Sequence, residues 1–360
     1  MQNTNGIFSP IVAHSYTVTA KDVNNCTVST IIELIDPNTG NFCCSPQAQN
    51  LIANTPNVIL KIAPQASDLV SQYGNVITGK TFYIDDVFTI DDDITFNGCT
   101  LWFTQTGSIQ LTQNFDITIE NGSVLKASCE FWSGIFASDP QNKVTISQSS
   151  IQQMQAGIYI FNNAVIEATS STFSNNDNRS ILFSEITDIN YGGIIKDNIF
   201  IGDININSNI PLHGIEIENS SNIKIGDLNN AGSFNTFKNL QNGIDIRGWG
   251  NLAGILGTNS NQIGIYNNKF EDILYPGNQP TYNFIMQDIY NSPKGSAVYI
   301  DYSTAPSFDA HTTVGYTGLT TSTTELMKNC TKAIVSKNNS LNAEKLFIMN
   351  CDFGIMNHNL

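Results

Sequence analysis

The sequence predicts an all-β right-handed parallel β-helix, a solenoid of roughly ten coils, and three observations carry that expectation. First, a glycine followed by alternating apolar and polar residues recurs as Gly134-Ile135-Phe136-Ala137, Gly157-Ile158-Tyr159-Ile160, Gly214-Ile215-Glu216-Ile217, Gly243-Ile244-Asp245-Ile246 and Gly354-Ile355-Met356, with Ser180-Ile181-Leu182-Phe183 as a degenerate copy. Second, Gly134 to Gly157 and Gly157 to Ser180 both span 23 residues, and later intervals stretch to 34 and 29. Third, an Asn or Ser just ahead of an aromatic falls between these phrases, in Ser171-Thr172-Phe173, Asn198-Ile199-Phe200, Asn235-Thr236-Phe237 and Asn268-Lys269-Phe270, with Cys351-Asp352-Phe353 as a variant. Period-2 alternation inside a 23-residue repeat means short strands joined by turns, one coil per repeat. A helical solenoid would need apolar residues at i, i+3 and i+4, which these segments lack.

Residues 1–40 read differently. Ser15 to Asp22 alternates as an exposed strand and Thr30 to Leu34 as a second, giving a partial β-sandwich-like module. Residues 41–80 are a linker and capping segment. Within it Pro64 to Tyr73 predicts a short helix, N-capped by Ser67 and ended by Gly74, suited to cover the open end of a solenoid. The β-helix itself occupies 81–360, with early strands in Phe82 to Ile94, Leu101 to Leu111 and Ile117 to Leu125. Asn, Gly, Ser and Asp clusters supply the corners, where left-handed backbone is needed. Residues 276–325, with Pro276, Pro280, Pro293 and Pro306, break the repeat and predict a long protruding excursion.

Composition narrows the function. Sixteen Lys and Arg stand against 31 Asp and Glu, a net charge of −15, and the arginines are Arg179 and Arg247 alone. Such a surface repels phosphate backbones, which argues against nucleic acid as a partner. No apolar run reaches the length of a membrane span, and Met1 to Ser9 is no signal peptide, so export implies a longer precursor. Seven cysteines without a C-x-x-C pair, and four scattered histidines, argue against a zinc site. Buried thiols are expected. Cys330 and Cys351, 21 residues apart in matching contexts, would stack one coil apart as a thiol pair or a disulfide.

One constellation carries possible chemistry. Glu216 and Asp245, and likewise Glu218 and Arg247, are 29 residues apart, the Gly214-to-Gly243 interval. In register, Glu216 lies over Asp245 with carboxylates about 5 Å apart, a spacing for a glycosidase pair or for Ca²⁺, and Arg247 can neutralise a sugar acid. The competing reading is a surface ladder with an ordinary exposed Glu218–Arg247 ion pair. Outward Tyr159 and Phe161, with Trp249 beyond Arg247, are candidates for stacking on sugar rings, with Glu218 beside them. Trp132 is expected at a corner or in the core. Asp85-Asp86 and Asp91-Asp92-Asp93 read as a solvated acidic loop rather than a calcium site, and the EF-hand signature is absent. No cofactor is expected, and Ca²⁺ is the one cation kept in view.

Tyr16-Thr17-Val18-Thr19-Ala20-Lys21-Asp22-Val23-Asn24-Asn25-Cys26-Thr27 resembles the closing half of the repeats in Bacteroidetes gliding-motility surface adhesins, with Ala20 and Asn25 departing from the usual pattern. Ile84-Asp85, Ile90 to Phe96, Gly122-Ser123-Val124-Leu125, Cys129 and Trp132-Ser133-Gly134-Ile135 resemble the opening coils of large secreted Bacteroidetes β-helix proteins of pectate-lyase-like fold. The resemblance implies export, commonly through the type IX secretion system, more than it implies an activity. The polygalacturonase pattern of Asn-x-Asp, Asp-Asp, Gly-His-Gly and Arg-x-Lys is missing, and His213-Gly214 alone is a weak signal. Of the two arginines, only Arg247 has suitable neighbours in sequence.

The expectation is therefore a non-catalytic secreted or cell-surface protein, monomeric, for adhesion or glycan binding, whose partner is a polysaccharide, a cell-surface glycan or another surface protein. The alternatives are a polysaccharide lyase or glycoside hydrolase acting through Glu216, Asp245 and Arg247, and a structural spacer of a large surface protein.

Overall fold

The structure is a computed structural model that describes residues 15–21, 27–33, 58–61, 64–128, 131–188, 191–202, 213–227, 233–248, 261–273, 294–302, 310–315, 327–337 and 340–358. Ser15–Lys21 and Thr27–Glu33 form a two-stranded antiparallel sheet, with Ser15 opposite Glu33. All the remaining described strands belong to three parallel sheets of ten, eleven and ten strands, the walls of a right-handed parallel β-helix. Each coil visits the sheets in a fixed order. Sheet I runs from Val76–Thr78 to Ser340–Glu344, sheet II from Val58–Lys61 to Ile348–Met349, and sheet III from Val87–Ile90 to Phe353–His358.

Two boundaries differ from expectation. The sheets start at Val58–Lys61 and Val76–Thr78, ahead of residue 81, because both segments pair in parallel with strands of the next coil. The 276–325 stretch is no single excursion, since Ser296–Asp301 and Ala310–Gly315 are full strands of sheets III and I. Ser296–Asp301 lacks the Gly-Ile phrase yet keeps its period-2 pattern, and that pattern is what inter-coil pairing requires.

Glycine recurs where the chain enters sheet III because the next coil leaves no room. A Cβ on Gly134 would lie 2.1 Å from the carbonyl oxygen of Gly157, with φ at +126°, and one on Gly243 would meet the Phe270 ring at 2.5 Å. At the same place in other coils stand Ser180, Ala297 and Ala333, all small. Corners from sheet II to sheet III repeat a left-handed residue, namely Asn175, Asn239, Asp272, Asn329 and Asn350, with φ between 52° and 55°.

Inside the coil, like stacks on like. Phe173, Phe200, Phe237 and Phe270 are face to face at 4.9, 4.7 and 4.9 Å and fully buried. Beside them, at the corner from sheet I to sheet II, runs a buried polar ladder. Ser171 N donates to Asn198 Oδ1, Asn198 N to Asn235 Oδ1, and Asn235 Nδ2 to Asn268 Oδ1. Each asparagine amide also donates to a sheet I carbonyl of the preceding coil, that of Ala168, Ile195 or Ile225, satisfying groups that a tight corner would orphan. Trp132 packs in the core, stacked on Phe103 at 4.2 Å, with Nε1 donating to the Gln152 carbonyl.

Helix α1, Ala66–Tyr73, caps the first coil with Ala66 and Leu69 buried, and Gly74 ends it in a left-handed conformation. Ser67 is not the N-cap. It sits in the first turn, and its N–H and Oγ both donate to the Asp91 carboxylate. Burial alone would raise the Asp91 carboxyl, but these Ser67 bonds outweigh it and hold it below its ordinary value. The Asp91–Asp93 run is therefore engaged in structure. Asp92 accepts from the Asp93 N–H, and Asp93 accepts from the Asp116 N–H.

If the phenylalanine column holds sheet II together, Phe237→Ala lowers the unfolding free energy by about 3–5 kcal/mol in urea titration. A loss under about 1 kcal/mol would show that the rings are not packed as described.

Candidate functional site

Sheet III carries the charged groups on its outward face. Its register places Glu216 beside Asp245 and Glu218 beside Arg247, as the 29-residue spacing predicts. Three outward columns result. The first reads Phe136, Tyr159, Leu182, Glu216, Asp245, Tyr299 and Val335. The second reads Phe161, Ser184, Glu218, Arg247, Asp301 and Lys337. The third, at the strand starts, reads Arg179, His213, Asn242, Ser296 and Lys332.

The acidic pair is not a surface ladder. Asp245 is 0% exposed and Glu216 4%. Arg247 does not pair with Glu218 but grips Asp245 two residues earlier on its own strand, Nε to Oδ1 at 3.0 Å and Nη2 to Oδ2 at 2.6 Å. Residues two apart share a strand face, so this fork needs no reach across coils. The second arginine belongs to the same cluster, contrary to its isolation in sequence. Arg179 Nε lies 2.7 Å from Glu216 Oε2, although out of line for a hydrogen bond. Next along the sheet, Lys337 Nζ contacts Tyr299 OH at 2.9 Å and Asp301 Oδ2 at 3.2 Å, and the Tyr299 hydroxyl donates to Asp301.

Burial sets the protonation states. It pushes Glu216 up to about 7, against the pull of Arg179 and with the push of Asp245 and Glu218. Burial also raises Asp245, opposed by the hydrogen bonds of Arg247. Because both Asp245 oxygens accept from the guanidinium, the geometry is that of a carboxylate. His213 is pushed down to about 3 by burial and by Arg247 and Arg179, so its imidazole is neutral. Its Nδ1 lies 3.1 Å from Asn242 Nδ2 and 3.3 Å from Asp245 Oδ2. Lys332, fully buried, is lowered to about 7 by burial and by Lys337.

Donor atoms of His213, Glu216 and Asp245 lie within 4.8 Å of one another. An imidazole with two carboxylates suits a transition metal better than Ca²⁺, which takes oxygen ligands. Both carboxylates already face guanidinium groups, which compete with any cation there. Glu216 Oε2, Arg179 Nε, Asn242 Oδ1 and Ser296 Oγ are buried without an aligned hydrogen-bond partner among the described residues.

Beyond the cluster the same face turns aromatic. Phe136, Tyr159 and Phe161 are half-buried, with the Phe136 and Tyr159 rings 6.1 Å apart and tilted by 33°. Burial raises the Tyr159 phenol, and the charge of Glu218 adds to that. Trp249 lies outside the described residues. Sequence reasoning missed Phe136, although its phrase matches that of Tyr159, and it missed Arg179, Tyr299, Asp301 and Lys337. No family model, curated protein or solved structure matches the chain.

The raised Glu216 carboxyl gives a signed prediction. A carboxyl with a raised folded pKa binds its proton more tightly in the native state, so its stabilisation is present below about 4.5 and fades as pH rises to about 7. His213 acts in the opposite sense and is common to both proteins, so it cancels in a comparison with Glu216→Gln. The stability of the parent relative to Glu216→Gln is expected to fall by about 3 kcal/mol across that window in urea titrations. A pH-independent difference would mean that Glu216 is solvated.

Proposed function

We propose that this chain is a non-catalytic secreted or cell-surface β-helix that binds a glycan on the outward face of sheet III. The observation that carries the reading is the partly exposed aromatic patch of Phe136, Tyr159 and Phe161, set beside a charge-compensated polar cluster. Sugar C–H faces stack on such rings, and flanking Glu218 and Arg247 supply polar contacts for hydroxyls. The acidity of the chain and the adhesin-like stretch from Tyr16 to Thr27 support an extracellular setting.

Catalysis is the second reading, favoured by one observation: Glu216 is raised to about 7 beside an Asp245 held as carboxylate, the division of labour of an acid and a base. Burial argues against it. Asp245 has no accessible surface and both its oxygens are taken by Arg247, so it is not free to attack or to accept a proton.

Glycan-array screening followed by calorimetry separates the two. Binding should weaken about three- to tenfold in Tyr159→Ala and in Phe136→Ala, with no release of reducing ends or of unsaturated product absorbing near 235 nm. Failure to bind any glycan would leave the spacer reading. Product that vanishes in Glu216→Gln would replace binding with catalysis.

A further inference from the structure

The corner from sheet II to sheet III brings two thiols together near the C-terminal end of the solenoid. Asn329-Cys330 and Asn350-Cys351 occupy the same place in successive coils. Asn329 and Asn350 are both left-handed, at 53° and 52°, and their side chains form one ladder with Asp272. The preceding strands pair Met327 with Ile348 and Lys328 with Met349. Each cysteine sulfur contacts the carbonyl two residues before it, Lys328 or Met349, and one carbonyl of the preceding coil, Phe270 or Met327. Both thiols are free.

Equivalent positions on neighbouring coils lie about 4.8 Å apart, inside the Cα separation of about 4.4–6.8 Å that a disulfide spans. We propose that Cys330 and Cys351 are an oxidation site whose disulfide staples these two coils. A covalent tie between the two coils resists their local opening.

The chemistry is thiol–disulfide exchange with a small-molecule or protein disulfide as oxidant. Cys351, half-buried and lowered to about 7 by the neighbouring Cys330 thiol, attacks as thiolate, forming a mixed disulfide and releasing one thiolate. Cys330, buried and raised by Cys351 and by burial, then loses its proton to solvent and attacks the Cys351 sulfur. This breaks the mixed disulfide and releases the second thiolate. Two thiols are oxidised and one disulfide is reduced. The site does not depend on the glycan reading.

The test uses the full chain equilibrated in reduced or oxidised glutathione, then alkylated and digested with trypsin. The oxidised sample should contain peptide 329–332 joined to peptide 346–360. Limited proteolysis of the C-terminal coil should then be about tenfold slower than in the reduced sample, with no difference in Cys351→Ser. Because Cys351→Ser retains the fold of the reduced chain, its proteolysis rate should match that of the reduced parent. Cys330 still open to alkylation after oxidation, with Cys351 joined to glutathione or to another cysteine, would overturn the proposal.

Discussion

Every coil of this molecule hydrogen-bonds to the next through its main chain, which fixes neighbouring coils at about 4.8 Å and sets each side chain over its counterpart. At that spacing a residue must tolerate a near-copy of itself above and below. Phenylalanines stack flat in the column from Phe173 to Phe270, and asparagines pass amide bonds from Asn198 to Asn235 to Asn268. Glycine stands where the chain enters sheet III at Gly134, Gly214 and Gly243, because a Cβ there would meet the next coil. The same spacing would be severe for charges, since like charges in a column repel at close range. The charged face of sheet III is arranged around that constraint.

There, Glu216 and Asp245 are consecutive in one column, and each carboxylate meets its own guanidinium, Arg179 and Arg247 respectively. A chain with only two arginines has both of them at this spot. Burying one partner of such a cluster without the other is costly, whereas a compensated cluster is tolerated and fixes the register of the coils that carry it. The neutral His213 and the Lys337–Tyr299–Asp301 contacts continue the pattern along the sheet. Charge compensation on one stretch and aromatic exposure on the next give the face two characters, and the binding proposal uses the boundary between them.

Much of this was legible in the sequence because the coils share a period. The Gly214-to-Gly243 interval predicts both cross-coil pairs of the site, and the spacing of Cys330 and Cys351 predicts their stacking. What escaped detection did so for physical reasons. Arg179 stands just ahead of the Ser180 phrase and is in register with His213, so an in-register count does not bring it to Glu216, which it reaches diagonally. Ser296–Asp301 carries Ala297 and Val298 where other coils have Gly-Ile, so Tyr299 and Asp301 went unread. Burial was illegible too, because outward residues of a β-helix are normally solvated, and nothing in the pattern Glu216-Ile217-Glu218 reports that its first carboxylate is covered.

The central claim is that charges on different coils compensate one another directly. A double-mutant cycle on Arg179→Gln and Glu216→Gln, read by urea unfolding near pH 7.5, tests it across a coil boundary. The account predicts a coupling of about 2 kcal/mol, as for groups in contact within one buried network. Additivity within about 0.5 kcal/mol would mean that the two side chains do not meet, and the compensated cluster would have to be abandoned.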